Sequence, residues 1–560
     1  MMKRINVPVL ASLVFLIGIS CYGVFSLYFL NDEWLRLGYV LNKGVFSLVN
    51  DHISIIEILS GKERVLGGIL NNLFLYFFQD NTVPLALFDI LVHLLNSYLV
   101  YVLILEITGK KTVAFLTACI FSIPSPAHQA LSWFAATIQT IGGMTFVLLS
   151  VYYVITGIKR KNIYRSITGW GLAYIAFLFK ESCFFVFPLL LILPFIFSQN
   201  KLKVRHRYIL LFFLVSIFSV YKILAFFGLS TGTSMTRESF LIILRLLTNM
   251  VFYPFISLGQ FFIPFRFMLR FSVEFGGFYY SFLKGATESN RAASVVVADL
   301  LSALASAGIL LSVLYLYMQK KQYRKHILIF FLWYILSFIP MAVFLPERNT
   351  SYLESRYLYF PYVSVAFLIS LILIECKEKI YLLIRNKKVA FIGLFLITVI
   401  FLFKQITLMQ REIRVNSMYG SDIRHIMELI RSTYPFLPDK PIFFVEGDRN
   451  YYFSKINLPF QIGTGYMLSM VFRNRPQIPK EIMVMNYFRK QEDFGYMEFE
   501  DKGYGYFGNR EELVRFFAKN SGISTNQIVG MYYYGYTDTL VDETEAIRDF
   551  VEKERIKQVP

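Results

Sequence analysis

For its first 410 residues the chain alternates long apolar runs with short, mostly basic breaks, and then it changes character. Apolar runs of roughly 20 residues have the length of a helix that crosses a bilayer core. Backbone groups in lipid must bond internally, so these runs are helices and not lone strands. Spans are expected near 8–30, 84–106, 112–130, 134–157, 167–180, 183–198, 207–228, 297–318, 327–345, 358–375 and 389–409, about 11 crossings in all. Residues 240–263 are apolar enough to cross as well. One more crossing would move Lys320 to Lys325 to the opposite side, and Arg237 and Arg245 stand at or near its start. That segment is read as interfacial or re-entrant. Residues 31–83 mix apolar and polar stretches and are expected to form short helices on the membrane surface.

The tail has a different rhythm. An amphipathic helix is expected over Ser421 to Ser432, followed by breaks at Pro435, Pro438 and Pro441. Ile442-Phe443-Phe444-Val445 reads as a buried strand, and further helices are expected at Arg510 to Lys519 and Asp542 to Lys553. The fold class expected is an α-helical polytopic membrane protein with a small C-terminal α/β extracytoplasmic domain. The boundary falls between a membrane domain at 1–410 and a soluble domain at 411–560.

Composition agrees. The 560 residues are 56% hydrophobic with mean hydropathy +0.52, more apolar surface than a soluble protein could hide without one very large core. The net charge of +18 would suggest nucleic acid, but its distribution argues otherwise. Residues 1–410 hold 36 Lys and Arg against 17 Asp and Glu, and residues 411–560 hold 20 against 21. The excess lies in loops between apolar runs, as in a membrane protein oriented by its basic loops. Lys3-Arg4, Lys110-Lys111, Lys159-Arg160-Lys161, Lys201 to Arg207, Lys320 to Lys325 and Lys377 to Lys388 all fall on one side, taken as the cytoplasm. The N-terminus is then cytoplasmic, and the first apolar run is read as a retained anchor. Cys21, Cys119, Cys183 and Cys376 are scattered, with neither metal spacing nor a disulfide framework.

The opposite side collects the candidate chemistry. Asp32 and Glu33 follow the first span, where a carboxylate beside lipid suits a general base. Interfacial acids also occur as plain loop solvation. Lys180-Glu181 interrupts an apolar stretch. In mid-membrane each charge would cost about 2.5–3.5 kcal/mol, so an outer hairpin is expected, with Lys180 either in a local ion pair or facing an anion. Asp89, His93 and Asn96 share one helix face, which reads first as a buried hydrogen-bond cluster. Pro124 and Pro126 break the third span, leaving His128 to meet a phosphate or to cap a helix. Arg356 is a planar double donor suited to phosphate, and Arg64 has the same character. An interfacial arginine also simply snorkels. There is no P-loop, no dinucleotide fingerprint, no His-Glu-x-x-His and no nucleophile elbow.

The order of these features is informative. An acidic pair follows span one. Arg64 precedes a helix with His93-Leu94-Leu95-Asn96. Pro126-Ala127-His128 with Ser132-Trp133 comes next, then Lys180-Glu181, then Glu354-Ser355-Arg356-Tyr357-Leu358-Tyr359-Phe360-Pro361. Over roughly 1–410 this resembles the GT-C superfamily of integral-membrane glycosyltransferases. The likeness is greatest to protein O-mannosyltransferases and the membrane half of transmembrane-and-TPR O-mannosyltransferases. The resemblance implies a polyprenyl-phosphate sugar donor and an acid of the first outer loop as base, which maps onto Asp32 with Glu33 beside it. It implies that Arg64, His128, Lys180 and Arg356, with Glu181 beside them, hold the lipid phosphate or sugar. The Asn31-Asp32-Glu33-Trp34 order and Ser355 between Glu354 and Arg356 depart from the family pattern. The tail shows neither TPR spacing nor a β-trefoil signature, so no acceptor is implied.

The function expected is transfer of a sugar from that donor to an extracytoplasmic protein, lipid or glycan, with inversion. No cofactor or metal is required by the sequence. A lipid-linked sugar flippase is the alternative from another class, and an oligosaccharide polymerase or ligase is an enzymatic one. The lipid-linked donor and membrane lipids are the expected partners. Nucleic acid is not one. The Phe, Tyr, Ile and Lys richness suggests a bacterial inner membrane.

Overall fold

A computed structural model describes residues 6–30, 32–46, 64–197, 237–262, 287–342, 353–447, 466–483, 495–534, 537 and 539–558. The expected span at 207–228, the basic cluster Lys201 to Arg207 and much of the first loop lie outside them. The chain divides into two compact units. One comprises Met1–Phe25, Asp51–Asn71 and Leu85–Arg414, and the other Ser26–Asn50, Asn72–Pro84 and Val415–Pro560.

Seven helices among the described residues are long and apolar enough to cross a membrane. They are Val7–Ser26, Val83–Thr108, Phe134–Lys159, Val297–Gln319, Lys321–Met341, Ser355–Ile384 and Lys387–Thr433. Val65–Phe78, Lys111–Phe121 and Glu181–Phe197 are shorter apolar helices. The chain is a mostly helical polytopic membrane protein. The expected third span is cut short. The helix Lys111–Phe121 has 11 residues, about 17 Å of rise. Pro124 and Pro126 then force a 3₁₀ turn at Ser125–Ala127. Residues 240–260 belong to one 24-residue helix, Arg237–Gln260. Its Gly259 N–H donates to Ser306 Oγ at 2.7 Å, and Tyr334 Oη donates to the Pro254 carbonyl at 2.5 Å. Small residues let these backbones approach.

Basic residues gather at one end of the membrane unit. Lys110 Nζ donates to Tyr323 Oη at 2.9 Å and to Gln322 Oε1 at 3.1 Å. Lys159 and Lys325 both lie over the Phe197 ring, at 5.7 and 5.8 Å. Lys320 pairs with Glu375 and Glu378 at 2.9 and 2.5 Å. Trp133 precedes the far end of the same helix that Lys159 closes, so the opposite end holds the turns at 124–133, 180–185 and 354–358.

The second unit contains a five-stranded sheet in the order β2-β3-β1-β4-β5. The strands are β1 Ile442–Gly447, β2 Tyr496–Phe499, β3 Lys502–Phe507, β4 Ile528–Tyr534 and β5 Thr539–Asp542. β1 is central and parallel to β3 and β4, with antiparallel β2 and β5 at the edges. A strand covered on both faces needs an unbroken apolar run, as Ile442 to Val445 supplies. Ile442 and Phe444 pack with Leu513, Phe517, Ile547 and Val551 of helices Arg510–Lys519 and Thr544–Gln558. Phe443 turns the other way and stacks on Phe472 with centroids 5.3 Å apart. The tail helix expected to start at Ser421 is no separate element. It is the end of the 47-residue helix Lys387–Thr433, which runs through Gly420 and meets no proline before Pro435.

Candidate active site

Arg64 anchors the site. It stands before the helix Val65–Phe78 with φ 50°, and its carbonyl accepts the Gly68 N–H at 2.7 Å. A Cβ on Gly67 would lie 2.8 Å from Gln139 Cγ and from the Phe179 carbonyl oxygen. Only glycine lets this helix press onto helix Phe134–Lys159 and the last residue of helix Ile163–Phe179 at once. Arg64 Nε and Nη2 reach the two Glu181 oxygens at 2.6 and 2.5 Å, and Nη1 donates to Gln139 Oε1 at 3.0 Å. This is the forked geometry that a guanidinium makes with a carboxylate.

Lys180 lies between helices Ile163–Phe179 and Val186–Phe197, so the charges sit in a turn, as the insertion cost demands. Its side chain is nonetheless 2% exposed. Nζ donates to Thr140 Oγ1 at 2.7 Å and lies 5.3 Å from the Tyr357 ring centroid. Among the described residues no carboxylate pairs directly with that ammonium. Burial is the main influence that pulls its pKa down to about 7, and the Arg64 charge adds to it while Glu181 opposes. Burial works against the Glu181 carboxylate too, but the charge and hydrogen bonds of Arg64 outweigh it and hold Glu181 below the usual carboxylate range.

The third wall is the 354–358 turn. The Arg356 guanidinium stacks 4.0 Å from the Trp133 ring centroid and 4.9 Å from that of Tyr357. It pairs with Glu354 at 2.5 Å. The Gln129 N–H donates to Ser355 Oγ at 3.0 Å and so pins this turn to the 124–133 turn. Three cations, Arg64, Lys180 and Arg356, thus meet two carboxylates, Glu181 and Glu354.

His128 leaves this group although it shares a turn with Gln129. Its Nε2 lies 3.7 Å from Glu412 of the long helix, and Nδ1 lies 3.4 Å from Ser132 Oγ. Asp89, His93 and Asn96 are fully buried elsewhere in the bundle. His93 meets Tyr359 Oη at 2.7 Å and the Ser122 carbonyl at 3.1 Å. Asn96 donates to the Ile141 carbonyl at 2.8 Å and accepts from Thr145 at 2.7 Å. Neither Asp89 oxygen has a hydrogen-bond partner among the described residues. Asp32 opens the helix Asp32–Lys43 of the other unit, and Glu33 beside it is buried and accepts the Leu30 N–H at 3.3 Å. Among the described residues no three His, Cys, Asp or Glu converge to hold a metal ion.

Sequence reasoning missed Gln139, Thr140 and Glu412. The polar run Thr137-Ile138-Gln139-Thr140 opening an apolar span was a usable signal for the first two. Glu412 offered none. Trp133 is the platform under Arg356.

Residues 65–223 match the family of dolichyl-phosphate-mannose-protein mannosyltransferases. That segment carries Asp89, His93, Asn96, His128, Lys180 and Glu181. No curated protein matches the chain. A crystal structure of the oligosaccharyltransferase of Archaeoglobus fulgidus with zinc and sulfate aligns at TM-score 0.41 and 13% identity, covering 79% of this chain. The chain spans 59% of the length of that protein.

Proposed function

We propose that the protein is a membrane glycosyltransferase that moves a sugar from a polyprenyl-phosphate donor to an extracytoplasmic acceptor, with inversion at the anomeric carbon. The observation that carries this reading is the buried ammonium of Lys180 between Arg64 and Arg356, with no carboxylate paired to it among the described residues. Its spare N–H donors and the surplus positive charge around it suit a phosphate. The match over residues 65–223 to a family that uses dolichyl-phosphate-mannose supports a lipid-linked donor.

In the proposed reaction an acid at Asp32, with Glu33 beside it, takes the proton of the acceptor hydroxyl. The acceptor oxygen bonds to the anomeric carbon as the bond from that carbon to the phosphate oxygen breaks. The electron pair leaves with the polyprenyl phosphate, and Arg64, Lys180 and Arg356 stabilise the charge that develops there. Glu181 holds Arg64 in position by its forked contact, and Trp133 holds the plane of the Arg356 guanidinium. No step in this scheme calls for a metal. The soluble tail faces the acceptor side, and a bacterial inner membrane fits the composition.

The test is incubation of the purified protein with labelled polyprenyl-phosphate sugars in liposomes, with the anomeric configuration of the product read by NMR. A new glycosidic bond of inverted configuration is expected, and Asp32→Asn is expected to abolish it at unchanged expression. Movement of label across sealed vesicles without a new bond would overturn the reading in favour of a flippase. Transfer of a whole chain would replace it with a polymerase or ligase.

A further inference from the structure

The second unit carries a cationic cluster that sugar transfer does not use. Helix Tyr466–Val471 ends beside the last turns of the long helix. Two guanidiniums share its C-terminal carbonyls. Arg473 Nη1 donates to the Met470 carbonyl at 3.0 Å, and Arg431 Nε donates to the Val471 carbonyl at 3.4 Å. A helix C-terminus attracts cations, which explains how two like charges come to be neighbours. Arg473 has one acid, Asp80, at 3.5 Å, and its Nη2 also donates to Gln79 Oε1 at 3.4 Å. Among the described residues no carboxylate pairs with Arg431.

The same Asp80 is shared. Tyr28 Oη donates to its other oxygen at 3.3 Å, and Arg424 lies 5.3 Å from the Tyr28 ring centroid. Arg424 itself pairs with Glu428 at 3.3 Å. A Cβ on Gly420 would lie 2.9 Å from Tyr28 N and Cβ, so glycine at that position brings the Tyr28 segment against the long helix. The Arg473 side chain is 9% exposed and Asp80 28%. Burial is the largest influence lowering the Arg473 pKa. Asp80 opposes it and Arg431 adds to it. The cluster therefore holds one more positive charge than its acids balance, in a half-sheltered place.

Chain position fixes the level. Tyr28 comes two residues after the first membrane helix ends at Ser26, and Asp80 three residues before the next begins at Val83. Both flank the hydrocarbon boundary, where headgroup phosphates lie.

We propose that Arg431 and Arg473, beside Tyr28 and Asp80, form a binding site for the phosphate of an anionic lipid headgroup, separate from the donor site. Arg431 supplies the free fork of donors. Arg473 supplies a second charge that cannot swing away, because Asp80 and the Met470 carbonyl hold it. Tyr28 marks the depth at which the headgroup meets them. The site stands whether or not the protein transfers sugar, since none of its residues belongs to that machinery.

The experiment is native mass spectrometry of the purified full chain in detergent, titrated separately with phosphatidylglycerol, with phosphatidylcholine and with inorganic phosphate. Phosphatidylglycerol is expected to fill one more site than phosphatidylcholine. R431Q is expected to weaken that site about fivefold, the usual worth of one arginine near an anionic surface. Arg431 is exposed and has no acid partner among the described residues, so R431Q should keep the thermal midpoint of the wild type. R473Q should weaken binding at least as much, and R431Q keeps the test valid if R473Q misfolds. Equal binding of the two lipids, or wild-type binding by a folded R431Q, overturns the proposal. Displacement of phosphatidylglycerol by inorganic phosphate at equal concentration overturns the assignment to a lipid.

Discussion

Two polar constellations lie in the membrane unit, and they differ in what their atoms do with one another. His93 and Asn96 are neutral and have their groups satisfied, although Asp89 on the same helix face has no hydrogen-bond partner among the described residues. The imidazole spends both nitrogens on Tyr359 and Ser122, and the amide spends its groups on Ile141 and Thr145. Around Lys180 the groups are charged and only partly satisfied, with three cations against two acids. A polar cluster that closes on itself specifies packing. One that keeps a charge in surplus in a sheltered place is prepared for a ligand that is not there yet. Spacing on a helix cannot separate the two cases, because both present polar residues in apolar runs.

The largest effect should come from cutting the charged set. Arg64→Gln or Lys180→Met is expected to lower kcat/KM for sugar transfer by about 100-fold or more, the scale of losing one transition-state donor. Arg64→Gln alone also leaves the half-buried Glu181 carboxylate without its forked partner, which costs stability. The double variant Arg64→Gln/Glu181→Gln separates the two roles. It should recover the thermal midpoint of the wild type and stay inactive. Recovery of transfer rate along with stability would make Arg64–Glu181 a structural pair and erase the contrast.

A middle effect is expected in the neutral cluster. Asn96→Leu should destabilise the fold by about 1–3 kcal/mol, since it strands the Thr145 and Ile141 groups, while activity per folded molecule stays near wild type. Thermal unfolding monitored beside initial rates reads both. Full stability with lost transfer would move Asn96 into the reacting site.

The smallest effect concerns pH. Burial, seconded by Arg64, holds Lys180 at about 7, below the ordinary lysine value. The unfolded chain therefore takes up this proton before the folded one does as pH falls. Stability rises with pH between about 7 and the ordinary lysine range, and is flat below 7. Binding of a phosphate favours the charged form, so it draws in a proton near neutral pH. The donor Kd should rise by up to about tenfold per pH unit above 7. Lys180→Arg should flatten that slope in a titration of donor binding. A slope unchanged in Lys180→Arg would remove Lys180 from the phosphate.

Much of this was readable from the chain. The basic breaks gather at one end of the bundle because lysines that cannot enter lipid must meet where the helices end. Lys180 and Glu181 fall in a turn for the same reason. What the chain hid was distance. Arg64 and Glu181 are 117 positions apart, and nothing local to either says that they will fork together. His128 carries a spacing that suits the phosphate group of residues, yet it faces Glu412, because the turn at Pro124 and Pro126 aims it at the long helix. The grouping of Ser26–Asn50 and Asn72–Pro84 with the tail is likewise non-local. The boundary expected at 410 and the division at Arg414 both lie inside the helix Lys387–Thr433, since a change in hydropathy is not a helix stop.

That helix also serves the membrane unit as a ruler. Gln405 and Glu412 stand on it two turns apart, with about 10 Å of rise between them. Two turns bring a side chain back to the same face within about 20°. Both marks are read by one short turn, Gln405 by Ser125 and Glu412 by His128. Two contacts on one face fix height and phase together, which neither could do alone. One residue added between them would swing Glu412 about 100° away from His128 while Gln405 kept Ser125. Seven added would restore the phase and still miss by about 10 Å. The number of residues between Gln405 and Glu412 is therefore constrained more tightly than their identity.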